Sequence, residues 1–248
     1  MDEVKHYFIN NKNITELYGA GHFEKDIINL LNSLFKEKDI VFMVGGSGLY
    51  INAVLNGVDE FIEVPPEIRN DLNQKFIEFG ITWLQNKLKE VDEDYYNAVE
   101  LNNPQRIVRA LEVSIFTGKP YSSFLNKNTI KRNFTPIKIF INTERSNLYT
   151  KINSRVDQMM SGGLLEEVKQ LQDYKSMNAL KTVGYKELFA FLDASYNLER
   201  AVEKIKQHTR NYAKRQITWF KNQDEFEEFE PGAIEKIKAY IDIIMEHG

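Results

Sequence analysis

From Asp39 to Ile51 the chain reads DIVFMVGGSGLYI, and the order of apolar and small residues in this stretch carries a fold prediction. Ile40, Val41, Phe42, Met43 and Val44 run without interruption into Gly45-Gly46-Ser47-Gly48. A short β-branched and aromatic run that ends in glycine predicts a strand buried on both faces, the central-strand type of a parallel sheet. The glycines permit a tight strand-to-helix turn, and sites in open α/β sheets form where such strands end. Ser47 places a hydroxyl at that edge. The same Gly-Gly-Ser-Gly pattern also serves as a plain connection, and it lacks the GK[ST] ending of a Walker A loop.

The surrounding pattern is largely helical. Val4 to Asn10 reads as a strand or loop already inside a domain, and Phe23 to Phe35 has an apolar face at helical spacing from about His22. Leu49 to Leu55 predicts a helix stopped by Gly57. Pro65-Pro66 opens a helix through Phe79, with Gly80 as its stop; Ile81 to Lys89 is a second, and Asp92 to Leu101 a third. Asn103 caps a helix that begins at Pro104 and ends at Gly118. Residues 61–128 contain no convincing strand and predict an all-helical insert; residues 1–60 and 129–248 supply the α/β core. Pro136 to Asn142 alternates as a strand returning to the sheet. Helices follow over Leu148 to Met160, Leu164 to Leu171, Leu188 to Leu192, Leu198 to Lys221 and Ile234 to Met245, with a turn at Lys181 to Tyr185.

Composition narrows the function. An apolar share of 42% in 248 residues is enough for a sizeable core. The net charge of −4 means that any nucleic-acid site is a local patch rather than a global field. The chain has no cysteine, which excludes disulfides and thiolate metal sites and suits a reducing cytoplasm. Its 4 histidines show no metal-ligand spacing. The apolar runs are too short for a bilayer span.

Such a patch lies in the helix Leu198 to Lys221, where Lys204 to Gln223 carry 6 Lys or Arg and no Asp or Glu. Helical spacing puts Lys206, Arg210, Lys214 and Lys221 on one face, with Ile205, Tyr212 and Trp219 roughly opposite. This is either a solvated basic face or a surface for a polyanion. Arg106 and Arg109, three apart beside Gln105, form a second basic pair that suits phosphates and a base edge. In the alternative, Arg109 merely pairs with Glu112. Tyr185, after Gly184, is a candidate for stacking on a base or for core packing.

Taken in order, VGGSGLYI (Val44 to Ile51), PPEIR (Pro65 to Arg69), NNPQRIVRALEV (Asn102 to Val113), GGLLEEV (Gly162 to Val168), TVGYKEL (Thr182 to Leu188) and TRNYAKRQITWF (Thr209 to Phe220) resemble the tRNA dimethylallyltransferase family, also called tRNA isopentenyltransferases. The resemblance runs from His6 to about Phe220. It implies a P-loop-NTPase-like α/β parallel-sheet core and a helical insert that grips the tRNA anticodon stem-loop. It implies transfer of a dimethylallyl group from dimethylallyl diphosphate to the N6 amine of the adenosine 3′ to the anticodon, drawn out of its stack. It makes Ser47, where the family usually has threonine, the catalytic-site hydroxyl. It assigns tRNA contact to Arg69, to Gln105, Arg106, Ile107, Val108 and Arg109, and to Lys181, Thr182, Val183, Gly184, Tyr185 and Lys186. Lys214, Arg215, Gln216, Ile217, Thr218, Trp219, Phe220 and Lys221 join them. Arg210 is the diphosphate ligand expected from charge.

The family opens with a strand, a GPTxSGKS-type loop that holds diphosphate with Mg²⁺, and an aspartate acting as general base. No GK[ST] occurs in this sequence. The expectation is therefore a chain lacking the donor loop, the Mg²⁺ ligands and the first strands, weak or inactive by itself, with no metal ligand of its own. A cytoplasmic monomer without membrane contact is expected. The second reading is an RNA-binding fragment without chemistry. A transferase acting on free adenine nucleotides is disfavoured, because a nucleotide needs no stem-loop grip.

Overall fold

The computed structural model describes residues 4–58, 62–125, 130–223 and 226–247. The chain is a helix-rich α/β protein that divides into two compact units. One comprises Met1–Phe23, Leu31–Ile51 and Asn133–Gly248; the other comprises Glu24–Leu30 and Asn52–Arg132. The predicted insert boundaries at 60/61 and 128/129 lie outside the described residues.

Two helices contribute residues to both units, α1 (Ala20–Leu34) and α2 (Gly48–Asn56). The second unit continues with α3 (Pro66–Phe79), α4 (Ile81–Val91), α5 (Glu93–Ala98) and α6 (Pro104–Thr117). Its helix ends follow local chemistry. Gly80, at φ 75°, ends α3 and starts α4 in a conformation open to glycine and costly for other residues. The Asn103 side chain accepts the Arg106 N–H at 3.3 Å, and Pro104 fills the first helical position, where its missing N–H costs nothing. Leu72, Leu84, Leu88, Ile107, Val108, Ala110 and Leu111 form the core of this unit. Arg132 ties its ends together: the guanidinium donates to the Ala53 and Val54 carbonyls of α2, each at 2.8 Å, and to Glu24 at 2.5 Å. Both are carbonyls of the helix's last turn; that of Ala53 also accepts the Gly57 N–H at 3.0 Å.

The other unit holds α7 (Arg145–Ser161), α8 (Leu164–Gln170), α9 (Tyr185–Leu192), α10 (Leu198–Lys221) and α11 (Ile234–His247). Val156, Leu164, Val168, Leu180, Leu188, Phe189, Ala201 and Ile205 form its core. Among the described residues the sheet is one parallel pair, β1 (Ile139–Ile141) with β2 (Glu227–Phe229), registered Ile139 to Glu227 and Ile141 to Phe229. Phe140 stacks on Phe220 at 4.8 Å, fixing α10 to that pair.

The expected central strand at Ile40 to Val44 is corrected. These residues form no ladder, and Phe42 and Val44 are 73% and 93% exposed. A strand is defined by its neighbours' hydrogen bonds, and none of the described residues supplies them to this run. Val4 to Asn10 is irregular as well. β1 is shorter than the predicted Pro136 to Asn142, and β2, within an acidic stretch, carried no strand pattern.

Candidate nucleic-acid interface

The Gly45-to-Gly48 turn leads into α2, whose first turn is closed by the Ser47 carbonyl accepting the Ile51 N–H at 3.0 Å. Gln216 of α10 donates its Nε2 to the Gly46 carbonyl at 2.6 Å. The Trp219 ring lies where a side chain on Gly48 would stand, and the Gln216 amide lies where one on Gly46 would stand. Close approach of the Trp219 ring excludes a larger residue at Gly48, whereas one at Gly46 would displace the flexible Gln216 amide. The structure thus joins two predicted motifs, the glycine turn beside Ser47 and the KRQITW segment.

α10 starts at Asn197, whose side chain accepts the Arg200 N–H at 2.9 Å. Its inner stripe is Ala201, Ile205, Ala213 and Phe220. Trp219 is half-buried, in edge contact with the Phe220 ring, whereas Tyr212 is exposed and does not face the core as predicted. The predicted row of four cations is divided by its partners. Lys206 is paired with Asp157 at 2.8 Å, and this hydrogen bond holds its ammonium above the usual lysine range. Lys221 lies 3.8 Å from Glu228. Arg210 donates to the neutral Asn153 Oδ1 at 2.7 Å, so its charge is oriented but not neutralised by that contact. Lys214 and Arg215 have no acidic partner among the described residues, and Arg215 lies 5.8 Å over the Tyr212 ring. Lys214, Arg215, Thr218 and Trp219, with Asn211 and Asn222, line a cavity of about 470 Å³. Ile217 is half-buried.

The turn Lys181 to Lys186 lies against the same helix. Gly184 adopts φ 104°, a left-handed conformation that favours glycine, and its N–H donates to Glu187 Oε2 at 2.8 Å. Lys181, Val183, Lys186, Glu187, His208, Asn211 and Arg215 line a cavity of about 200 Å³. Lys181, Thr182, Val183 and Lys186 are exposed. The Tyr185 ring packs on the hydrophobic core, and its hydroxyl donates to Glu167 at 2.5 Å. That hydrogen bond, with burial and the carboxylate charge, pushes the phenol up to about 12. The stacking role considered for Tyr185 gives way to packing. Ser47 lines neither of these two cavities.

In the other unit, Gln105 and Arg106 are exposed at the start of α6. Arg109 does not stand beside Arg106 as predicted. It and Arg69 converge on Glu112, each at 2.6 Å, and Arg109 also donates to the Ile62 carbonyl at 3.1 Å. Glu112 is only 1% exposed, so two guanidinium groups compensate one buried carboxylate. Arg69 is held above the usual arginine range by its hydrogen bond to Glu112. Ile107 and Val108 are core residues, and the side chain of Phe220 is buried as well; none of the three presents a side chain to a ligand.

The Arg109–Glu112 pairing is the alternative that the i,i+3 spacing offered, whereas Arg69 as a second partner of Glu112, and Glu187 and His208 as organising groups, were missed. Glu187 carried a signal: a glutamate three residues after the residue preceding a helix reads as a reach-back cap. His208 carried one too, because Arg215 lies seven residues on and so shares its helix face. The described residues contain no group of three or more His, Asp or Glu that fits a metal ion. None of their helices is long and apolar enough to cross a membrane.

Comparison with known proteins gives the family. The family model for IPP transferase matches residues 1–223. A tRNA dimethylallyltransferase of Christiangramia forsetii is 50% identical over 225 residues, covering 91% of this chain and 74% of the relative. One of Flavobacterium psychrophilum is 50% identical over 227 residues, covering 89% and 74%. The crystal structure of the full-length tRNA isopentenylpyrophosphate transferase of Bacillus halodurans aligns with TM-score 0.65 at 32% identity, over 99% of this chain and 79% of that one. A eukaryotic dimethylallyltransferase captured acting on tRNA aligns with TM-score 0.78 at 22% identity, over 99% and 67%, a likeness of fold. With the glycine turn seated on the KRQITW helix and nine-tenths of the chain matched, this protein belongs to the IPP transferase family.

Proposed function

We propose that the chain is the tRNA-holding and amine-positioning part of a dimethylallyl transfer system, built on a P-loop-type core with a helical insert at 61–128. The reaction joins C1 of the dimethylallyl group to the adenine N6. The C1–oxygen bond breaks, diphosphate leaves with the bonding electrons, and N6 loses one proton. Ser47 supplies a hydroxyl to hydrogen-bond the amine, and Arg210 compensates charge on the diphosphate. Lys214, Arg215, Lys181, Lys186 and Arg106 hold RNA phosphates, and Gln105 reads a base edge. Arg69 and Arg109 reach RNA only with the charge left over from Glu112. The cofactor expected by family is Mg²⁺, which would pair with the diphosphate oxygens.

The observation that supports this most is the Gln216 hydrogen bond to Gly46, which ties the helix bearing Lys214 and Arg215 to the turn bearing Ser47. The test is incubation with dimethylallyl diphosphate, Mg²⁺ and unmodified tRNA, followed by nucleoside analysis. Since the sequence has no GK[ST] loop, the 248-residue chain alone binds tRNA and forms little or no isopentenyl-adenosine. Abundant product would overturn the binding-only behaviour of this chain; no RNA binding would overturn the assignment itself.

A further inference from the structure

We propose that Lys181, Lys186, His208 and Arg215 form a seat for one backbone phosphate of the bound RNA, and that Glu187 positions the His208 imidazole so that binding takes up a proton. This rests on the tRNA reading above and adds to it a proton-linked subsite.

The four side chains line one cavity of about 200 Å³ between the turn before α9 and the middle of α10. Lys181, Lys186 and Arg215 have no acidic partner among the described residues. Among the described residues the acid in the cavity wall is Glu187, whose carboxylate is 2% exposed and fully engaged: Oε2 accepts the Gly184 N–H at 2.8 Å and Oε1 meets His208 Nδ1 at 2.5 Å. Three fixed positive charges against one internally paired negative charge favour an anion.

Glu187 also fixes the tautomer. A carboxylate only accepts hydrogen bonds, so Nδ1 carries a proton toward it whether the ring is neutral or charged. The neutral ring is then left with a lone pair on Nε2, an acceptor facing an acceptor-only phosphate. The imidazolium presents an Nε2–H donor and a positive charge instead. Of the other titratable neighbours, Tyr196 donates its hydroxyl to the Glu187 carbonyl at 3.1 Å and is held neutral to higher pH, chiefly by burial. Lys204 lies over the Tyr196 ring at 5.5 Å.

The test is the affinity of the full chain for an unmodified anticodon stem-loop RNA between about pH 8 and pH 5.5, at two salt concentrations. For the unchanged chain, affinity tightens several-fold as pH falls, and the dependence of log affinity on log salt steepens by about 0.7 to 1. His208→Ala gives a flat profile; Glu187→Gln changes the midpoint of the rise. If His208→Ala keeps the original pH profile, or loses affinity in parallel at every pH, the seat is wrong. If no form binds RNA at any pH, the tRNA reading fails first and the seat with it; if Lys214→Ala still weakens binding, the failure belongs to the seat alone.

Discussion

Gln216 and Gly46 are 170 positions apart in sequence, and the Gln216 amide donates to the Gly46 carbonyl at 2.6 Å. This hydrogen bond holds the turn with the predicted catalytic hydroxyl, Ser47, against the helix that carries Lys214 and Arg215. Gln216→Ala loses a hydrogen bond worth about 1 kcal/mol. A denaturant midpoint measures the loss, and transfer weakens in any active form of the protein. A variant with unchanged midpoint and unchanged activity would show the hydrogen bond to be incidental.

Gly48→Val forces a side chain into the space taken by the Trp219 ring. Overpacking of this kind costs about 1–3 kcal/mol. The expected signature is a shift in Trp219 emission, read in a Trp83→Phe background because the chain has 2 tryptophans. Unchanged emission and stability would mean that the turn and α10 separate freely.

Glu112 separates structural from RNA-binding arginines. Glu112→Ala leaves Arg69 and Arg109 without their shared carboxylate and opens a void among the core residues of α6. The expected loss is about 2–4 kcal/mol, moderated because Arg69 is half-exposed. Arg106→Ala leaves stability unchanged and weakens RNA binding. Stability equal to the unchanged chain for Glu112→Ala would contradict the ion-pair assignment.

Tyr185 gives a pH prediction with a definite sign. Its phenol titrates near 10 when unfolded and at about 12 in the fold, mainly through the hydrogen bond to Glu167. The stabilisation is therefore complete below about 10 and is lost as pH rises from about 10 through about 12. A spectroscopic titration shows a late-ionising tyrosine that Tyr185→Phe removes. A late phenol still present in that variant would place the shift elsewhere.

What the sequence made legible depended on locality. The helices of the second unit announced themselves through Pro66, Gly80, Asn103 and Gly118, because caps and glycine stops act within a few residues. The span of α10 was readable for the same reason, from its basic and apolar pattern. The run Ile40 to Val44 misled because a buried strand and an unpaired apolar stretch share one pattern, and only hydrogen-bonding neighbours distinguish them. β2 was missed because Glu227 and Glu228 hide a three-residue strand that exists through its pairing with β1. For Arg109 the sequence left two directions open; the local one, toward Glu112, is the one adopted, and the Ile62 carbonyl that also holds it is distant in sequence.

The central claim is that the open cations of α10 grip RNA. The most direct measurement is the salt dependence of anticodon stem-loop affinity for the unchanged chain and for Lys214→Ala/Arg215→Ala. The predicted result is weaker binding in the double variant and a slope shallower by about 1.4 to 2, the change expected when two phosphate-binding cations are removed. Equal affinity and equal slope in the two proteins would contradict the claim.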